Sequence, residues 1–558
     1  MLSFPLAAPT GSNRVRELVV AGVLALALTV IFTWPLAGRF STAGRVDSGD
    51  GRYSIWNISW VAHALTTSPS ELWNANIFHP HTGTLAFSEA NIVAGVIATP
   101  VWLLTHNPYA TSNWTILCAF VLAAVAMFAL VRHLTGNLWG AAVAGVLYAF
   151  CSYSFAHLAH IQLLMTFGPP LALLRMHLFV EKPSIRNAGW LGLALAIQGL
   201  ACGYYGVYGG LAAAFGVMWF GGWSGQYRSM RFWLSAAFAG LVALAIVSPF
   251  LIPYAQIVDG GFARSLEDAR MFSAGWRSYL ASALLVYQWI LPLIGHWREV
   301  LFPGFLSIGL AGVAIVRVVR RPELVKAVAS RRVVGYYVVL GVLAAWGSFG
   351  PDAGLYLLMY KVVPFMSLLR APARLGLIVT LAVAVLAGIG VAMMERNWTG
   401  SRRRAWLAAL IVVTLARSTV GPLNWTTAPS TPDAVTWLGR LPPGPVAAFP
   451  FFGSAQETTY MLQSTSHWMP MLNGYSDFTP DDVSKSLAPL ATFPSAQSLH
   501  VLRERQTRYV LVNWGLYSGQ ERENLRAAIG ALPATLRLML SNPETSLYEM
   551  TTTTAAGQ

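Results

Sequence analysis

The sequence has few charged residues. Asp, Glu, Lys and Arg account for 11% of its 558 residues, and 55% are hydrophobic, whereas about a quarter of the residues of a typical soluble domain are charged. This scarcity excludes an ordinary soluble protein. Uncharged apolar runs of about 20 residues, the length that crosses ~30 Å of hydrocarbon, recur as far as residue 421. The sequence therefore predicts a polytopic α-helical membrane protein.

Cysteine is scarce as well. Cys118, Cys151 and Cys202 are the three cysteines of the chain; they lie inside apolar runs and share no metal-ligand spacing. We interpret them as packing residues. The sequence also lacks a Ser/His/Asp order, a phosphate-binding glycine loop and a zinc signature. Any chemistry must therefore come from looser groups of polar residues.

Acidic residues are fewer than basic ones. The chain has 23 Asp and Glu against 37 Lys and Arg, a net charge of +14. Such a charge can indicate nucleic-acid binding, but here the basic residues fall mainly in short, alternate loops between apolar runs, which is the positive-inside pattern. We predict that these loops are cytoplasmic, that nucleic acid is not a partner, and that the N-terminus lies inside. The segments 38–112, 254–300 and 351–374, and everything after residue 421, then face outward.

The apolar runs predict about eleven transmembrane helices. They cover residues 18–37, 113–131, 138–155, 160–179, 187–203, 205–222, 233–253, 301–319, 333–349, 375–394 and 405–421. A cleaved signal peptide is an alternative for the first run, but this run ends at Trp34 and Pro35 rather than at a small-residue cleavage site, so we interpret it as a retained helix. The apolar stretch from Ile92 to Leu104 is too short to span and fits an interfacial or re-entrant segment.

The composition changes after residue 421. Pro-rich turns separate short apolar strands, such as 446–451 and 509–512, from polar helical stretches such as 520–529. We predict a transmembrane domain over 1–421, which includes interfacial helices in the first outward loop, 38–112. A soluble, outward-facing mixed α/β domain over 422–558 follows it.

Two carboxylates follow the first predicted helix. Asp47 and Asp50 lie three residues apart in a turn that contains glycine. Such a pair can hold a divalent cation or accept the proton of a hydroxyl group. Asp and Gly are also the residues that ordinary solvated turns use, so both interpretations stay open.

Further polar residues are found in three outward segments. They are Glu89 in the first loop, His157, His160 and Gln162 between the third and fourth helices, and Tyr204 and Tyr205 between the fifth and sixth. The two histidines, three residues apart, would share a helix face suited to a metal or a phosphate. No third metal ligand is evident near them, so polar residues at the membrane interface are the alternative interpretation.

Two arginines depart from the positive-inside pattern. Arg370 and Arg374 flank Pro372 directly before the tenth helix, on the side predicted to face outward. Guanidinium groups and the free N–H groups of a helix N-terminus both bind phosphate oxygens. A lipid phosphate or pyrophosphate is therefore the expected ligand, with headgroup contact alone as the alternative.

With these features the chain resembles the GT-C superfamily of membrane glycosyltransferases, in particular its bacterial YfhO-like and ArnT-like groups. The resemblance rests on the loop with Asp47 and Asp50, on the segments 76–80, 88–89 and 160–162, and on 370–374. It implies transfer of a sugar, with inversion, from a polyprenyl-phosphate donor to an envelope glycan, lipid or protein. In the family an acidic residue of the first outward loop serves as the base or as a metal ligand, which corresponds here to Asp50 or Asp47.

The resemblance also implies a compartment and a cofactor. The protein would lie in the bacterial cytoplasmic (inner) membrane, act on its outer face, and hold Mg²⁺ or Mn²⁺ at Asp47 and Asp50. Two other classes stay open. A transporter or flippase of a lipid-linked saccharide would need ionisable residues near the midplane, whereas here they are concentrated at the outward surface. A non-catalytic envelope-assembly protein would leave both carboxylates in bulk solvent.

Overall fold

The computed structural model describes residues 11–259, 264–320 and 328–551. Most of these residues are helical, several of the helices are long and apolar, and a small sheet lies near the C-terminus. The predicted fold class, a polytopic helical membrane protein with a C-terminal mixed α/β domain, is confirmed.

The first fourteen helices precede residue 321. They are α1 (Gly11–Phe32), α2 (Gly49–Thr67), α3 (Ile92–Thr105), α4 (Pro108–Thr135), α5 (Leu138–Ala149), α6 (Ser152–Ala156), α7 (Ile161–Leu164), α8 (Gly168–Glu181), α9 (Ile185–Ala201), α10 (Gly203–Ser224), α11 (Met230–Asp259), α12 (Leu266–Met271), α13 (Leu291–Ile294) and α14 (Phe305–Arg320). Those after residue 327 are α15 (Arg331–Ser348), α16 (Leu355–Val362), α17 (Gly376–Glu395), α18 (Gly400–Arg417), α19 (Asp433–Leu438), α20 (Thr458–Gln463), α21 (Asp481–Ala491), α22 (Ala496–Glu504) and α23 (Gly519–Gly530).

Each of the eleven predicted spans coincides with one helix or, at 138–155 and 160–179, with two consecutive helices. Not every one of these segments is long and apolar enough to cross a membrane. Within the described residues six are: Asn13–Phe32, Pro108–Thr135, Leu138–Ala156, Ile161–Glu181, Met230–Val258 and Pro372–Glu395. The other five are α9, α10, α14, α15 and α18. These five do not reach the length or the hydropathy of the other six. For example, α14 has 16 residues and ends in arginines, and α18 has three consecutive arginines in its first turns.

The chain divides into two compact units. Unit 1 draws on Met1–Gly38, Thr115–Ile252 and Gly261–Leu423, and unit 2 on Arg39–Trp114, Pro253–Gly260 and Asn424–Gln558. Unit 1 therefore holds most of the apolar helices. Unit 2 combines the first outward loop with the C-terminal segment, whereas the domain division at residues 421 and 422 stays a prediction.

Polar contacts in unit 1 tie together helix ends that the charge pattern predicts to lie on one side. Arg132 at the end of α4 forms a paired contact with Glu17 in α1, at 2.8 and 2.9 Å. His133 contacts Glu181 at the end of α8 at 2.7 Å. Glu395, at the end of α17, accepts hydrogen bonds from Asn137 and from Arg403 in α18. All of these ends lie at loops that the charge pattern predicts to be cytoplasmic.

The sheet of unit 2 supports two apolar cores. Strands β3 (Val446–Phe449), β4 (Tyr509–Asn513), β5 (Leu536–Ser541) and β6 (Thr545–Met550) have the order β3-β4-β6-β5, with β3 and β4 parallel and the other pairs antiparallel. All five residues of β4 are buried because side chains on both of its faces pack into apolar clusters. The predicted strands and the helix at 520–529 are thus present.

The first outward loop is part of the packing of unit 2. Its strand β1 (Ala43–Gly44) pairs with strand β2 (Thr426–Thr427) in a two-stranded antiparallel ribbon. Asn76 is buried; its side chain accepts a hydrogen bond from Trp56 in α2 and donates to Ser464 at 3.0 Å. Helix α3 matches the predicted interfacial segment in position and leaves Leu103 and Leu104 exposed, at 54% and 84%.

Candidate functional site

Unit 1 contains a group of polar and charged side chains at helix ends, which we call the Arg374 cluster. Its members lie after α5 and α6, at the start of α10, before α14 and before α17; they are Tyr153, His157, His160, Tyr204, Tyr205, Glu299, Arg370 and Arg374. The structure thus brings together the histidines, tyrosines and arginines that the sequence placed in separate outward segments. The predicted residue Gln162 is half-buried nearby in the chain, in the short helix α7.

The two arginines are held by aromatic rings and backbone. The guanidinium carbon of Arg374 lies 3.9 Å from the centroid of the Tyr204 ring, and that of Arg370 lies 5.0 Å from the centroid of Phe272. The hydroxyl of Tyr204 also accepts a hydrogen bond from the backbone N–H of Arg370 at 3.1 Å. Tyr204 therefore fixes both ends of the 370–374 segment. Pro372 begins the turn that leads into α17, and proline is favoured at such a position.

His157 faces a carboxyl group. The carbonyl of Tyr153 can only accept, so Nδ1 of His157 carries a hydrogen and donates it to this carbonyl at 2.8 Å. Nε2 of the same ring lies 3.7 Å from Oε2 of Glu299. Burial lowers the pKa of His157 to about 3, and the nearby His160 and the charge of Arg374 act in the same direction. Burial raises the pKa of Glu299, opposed by Arg374 and His160.

Two tyrosines contact each other within the cluster. The Tyr205 hydroxyl oxygen lies 2.8 Å from that of Tyr153 and 3.1 Å from the carbonyl of Leu163. The Tyr153 ring stacks on His157 with centroids 4.1 Å apart. Tyr205 is fully buried, and its hydroxyl contacts Tyr153, whose ring stacks on His157; its part in substrate binding stays a prediction.

Glu299 is the member that the sequence analysis missed. Its side chain is 20% exposed, and its carboxylate lies 3.7 Å from Nε2 of His157. A carboxylate two residues before the apolar run 301–319, at the predicted outer surface of the membrane, was the available signal.

The predicted catalytic carboxylates belong to unit 2. Asp47 is exposed and its two oxygens accept from Nε and Nη2 of Arg45 at 2.9 and 3.0 Å. Partial burial works to raise the pKa of Asp47, but the hydrogen bonds and charge of Arg45 hold it below the ordinary value. Asp50 is exposed in the first turn of α2, which Ser48 caps. Exposure of both carboxylates is also what the non-catalytic alternative expects.

Glu89 lies on a segment of unit 2 that is fixed on both sides. The hydroxyl of Tyr254 accepts from the N–H of Ala90 at 2.9 Å and donates to the carbonyl of Ser88 at 3.1 Å. The Ser88 hydroxyl donates to Asp477 at 3.0 Å. Asp477, which was not predicted from the sequence, therefore contacts the residue that precedes Glu89.

The residues that were predicted to hold a cation do not form a metal site. Within the described residues, no group of three or more His, Cys, Asp and Glu side chains is placed to bind an ion. Both oxygens of Asp47 are already engaged by Arg45. The Asp47 and Asp50 pair therefore does not fit a divalent cation, and no chemical step is assigned to one.

The arrangement in unit 1 suits an anion with phosphate oxygens. Two guanidinium groups are oriented by packing, next to a largely buried imidazole and carboxyl pair. Preoriented cations in surroundings with little water bind and stabilise negative charge more strongly than the same groups in bulk solvent. An anion that lies beside apolar helices is the ligand that this geometry favours.

Comparisons with known proteins were made for sequence and for structure. No protein-family model and no curated protein matches the sequence. In structure the chain is similar to the archaeal oligosaccharyltransferase AglB from Archaeoglobus fulgidus, in complex with an inhibitory peptide and a dolichol-phosphate, with a TM-score of 0.46 and 14% identity over 96% of this chain and 74% of that one.

The chain is also similar to ArnT from Cupriavidus metallidurans. The apo structure gives a TM-score of 0.39 and 13% identity over 98% of this chain and 100% of that one, and the structure bound to undecaprenyl phosphate gives 0.38 and 13% over 99% and 100%.

Proposed function

We propose that the protein transfers a sugar from a polyprenyl-phosphate donor to an envelope glycan, lipid or protein acceptor. The observation that carries this proposal is the Arg374 cluster, in which Arg370 and Arg374 are fixed by aromatic rings at the start of the apolar helix α17. A lipid-linked phosphate has its charged group at the end of an apolar chain. A cationic site at the end of a membrane helix matches both parts of such a molecule.

The arginines act on the leaving group. When the bond between the anomeric carbon and the phosphate oxygen breaks, the electron pair stays on the phosphate, and its added charge is stabilised by Arg374 and Arg370. His157 and Glu299 are positioning residues beside the arginines. Nε2 of His157 and the carboxyl group of Glu299 lie 3.7 Å apart, and one proton shared between them keeps the two groups from repelling each other.

Asp50 is the proposed base. It takes the proton of the acceptor hydroxyl while the hydroxyl oxygen attacks the anomeric carbon from the face opposite the phosphate, which inverts the configuration. Asp47 is the weaker candidate because the paired hydrogen bonds of Arg45 stabilise its charged form and lower its affinity for a proton. The predicted site is the outer face of the bacterial inner membrane.

The test is transfer of a radiolabelled sugar from a panel of polyprenyl-phosphate sugars to membrane extracts by purified protein. We expect the wild type to transfer one of them. Arg374→Ala should reduce the rate by about 100-fold or more, the usual cost of one charge-stabilising donor, and Asp50→Asn should abolish it. Both variants should keep the elution profile of the wild type in size-exclusion chromatography.

Two matched controls separate chemistry from local stability. Arg526→Ala removes a guanidinium that lies 4.8 Å from the Trp514 ring, so it loses a similar stacking contact in unit 2. Asp481→Asn removes an exposed acidic residue from the first turn of α21, as Asp50→Asn does in α2. Both should retain full activity. Absence of transfer with every donor would contradict the transferase, and full activity of Asp50→Asn would remove Asp50 from the mechanism.

A further inference from the structure

Unit 2 contains a pocket that the proposed reaction does not use. Its volume is about 260 Å³, and its walls come from α2, the end of α3, the start of α4, the segment 429–431 and the end of α20. Pockets for drug-sized ligands have volumes of roughly 300–1,000 Å³, so this one has room for a single monosaccharide unit. All of its lining residues belong to unit 2.

Most of the lining is uncharged and polar. Hydroxyl and amide side chains predominate, among them Asn107, Thr459, Gln463 and Ser466. Oε1 of Gln463 is shielded from water and accepts no hydrogen bond from the described part of the chain. A buried acceptor without a donor is costly, so a turn of the Gln463 side chain that brings Oε1 to a ligand hydroxyl in the pocket would be favoured.

Two of the lining residues belong to a single small apolar cluster. Tyr109 and Leu462 line the pocket and pack with Val46 and Ile55 in a small apolar cluster. A pyranose ring has a comparable division, with C–H groups on its faces and hydroxyls around its edge. The pocket therefore matches a sugar ring better than it matches a purely polar or a purely apolar molecule.

One arginine gives the pocket a charge preference. Nε of Arg52 donates to the hydroxyl of Thr458 at 3.0 Å and Nη1 donates to the carbonyl of Val46 at 2.8 Å. These two bonds hold the guanidinium at the pocket wall. The charge of Asp47 also acts on it, but both oxygens of that carboxylate are hydrogen-bonded to Arg45. An orientated guanidinium favours an anionic oxygen.

We propose that this pocket binds an acidic sugar unit, a pyranose that carries a carboxylate or a phosphate. Arg52 binds the anionic group, Gln463 accepts a hydrogen bond from a ring hydroxyl, and Tyr109 contacts the face of the ring. If the protein is the proposed transferase, this sugar would be a unit of the acceptor glycan, bound by residues other than those of the Arg374 cluster. The binding itself does not depend on that function.

Ligand-observed NMR on the full chain in nanodiscs tests the proposal, with glucuronate, glucose 6-phosphate and glucose as probes. We expect saturation transfer to glucuronate or to glucose 6-phosphate at least threefold stronger than to glucose, and the stronger of the two identifies the anionic group. Ser466→Trp fills the pocket from its exposed rim and should reduce the signal at least fivefold. Gln463→Leu, which removes the buried acceptor, should act in the same direction.

Gln497→Leu is the matched control, because Gln497 is exposed on α22 and does not line the pocket. It should leave the signal unchanged, and near-ultraviolet circular dichroism should show the same fold in all variants. Equal signals for the three sugars, no signal for any of them, or a wild-type signal in both pocket variants would overturn the proposal. Since no transfer is measured, none of these results bears on the transferase activity.

Discussion

At the scale of single residues, Glu457 is the most unusual ionisable group of unit 2. It is 1% exposed. Its Oε1 accepts from the N–H of Phe452 at 2.7 Å and its Oε2 from Nδ2 of Asn473 at 2.7 Å. Burial raises the pKa of Glu457 to about 7, because the loss of hydration outweighs these hydrogen bonds to the charged form.

The raised pKa predicts a pH-dependent stability. Between pH 4.5, near the pKa of an exposed glutamate, and pH 7, the folded protein binds more protons at this site than the unfolded protein does. The contribution of Glu457 to the free energy of unfolding is therefore fully present below pH 4.5 and is lost as the pH rises through 7, by about 3 kcal/mol in total. Thermal unfolding of the detergent-solubilised chain should show a higher midpoint at pH 5 than at pH 8.

Glu457→Gln should remove this pH dependence and lower stability at every pH. Asn473 cannot turn to accommodate the new amide, because its Oδ1 accepts from the N–H of Ala448 and its Nδ2 donates to the carbonyl of Ala448. The N–H₂ group of the new amide would then face either Nδ2 of Asn473 or the N–H of Phe452, and both of these are donors. Glu523→Gln, a change on the surface of α23, is the control, and a Glu457→Gln variant with the pH profile of the wild type would refute the assignment.

At the scale of elements, Arg417 ties three segments of unit 1 together. It ends α18 and is 3% exposed. Its guanidinium donates to the carbonyls of Phe150, which follows α5, of Leu147 within α5, and of Pro303, which precedes α14, at 3.1 to 3.5 Å. The planar fork of the guanidinium is what lets one side chain reach three carbonyls in different directions.

Arg417→Lys should therefore destabilise unit 1. A single ammonium cannot reach all three carbonyls, and each buried acceptor left without a donor costs about 1–3 kcal/mol. We expect a lower midpoint of thermal unfolding in detergent and a lower yield of monodisperse protein. Arg404→Lys, an exposed change in the same helix, should be neutral; if both variants melt together, Arg417 is not a structural link.

The elements were more predictable than their contacts. Length and hydropathy are local properties, so the sequence indicated all six of the described helices that are long and apolar enough to cross a membrane, and the strands around 446 and 509. The short apolar helix at Leu285–Ile294 was not predicted. The role of Arg417 was not predictable, because its partner Leu147 lies 270 positions away. The same applies to the candidate site: Arg374, Tyr204 and His157 were named from separate loops, whereas Glu299 becomes significant only once the fold places it beside His157.

At the scale of the whole molecule, the charge pattern makes a prediction about orientation. The helix ends joined by the Glu17, Glu181 and Glu395 contacts carry the basic loops, so we expect that side to be cytoplasmic. Alkaline phosphatase fused after residue 551 should then be active, and green fluorescent protein fused to the N-terminus should fluoresce. A fusion of alkaline phosphatase at residue 183, in a predicted cytoplasmic loop, should be inactive; the reverse pattern would invert the topology.

The discontinuity of unit 2 also has a consequence for biosynthesis. Asn76 bonds to Ser464, 388 residues later in the chain. At the usual ~5–20 residues per second of translation, the first outward loop is complete about 20–80 seconds before its partner segment exists. During that interval the hydrogen bonds from Asn76 to Ser464 and from the N–H of Phe78 to the carbonyl of Asn473 cannot form. Nascent chains that stop before residue 424 should therefore be recognised by quality-control proteases even though their apolar helices are already inserted.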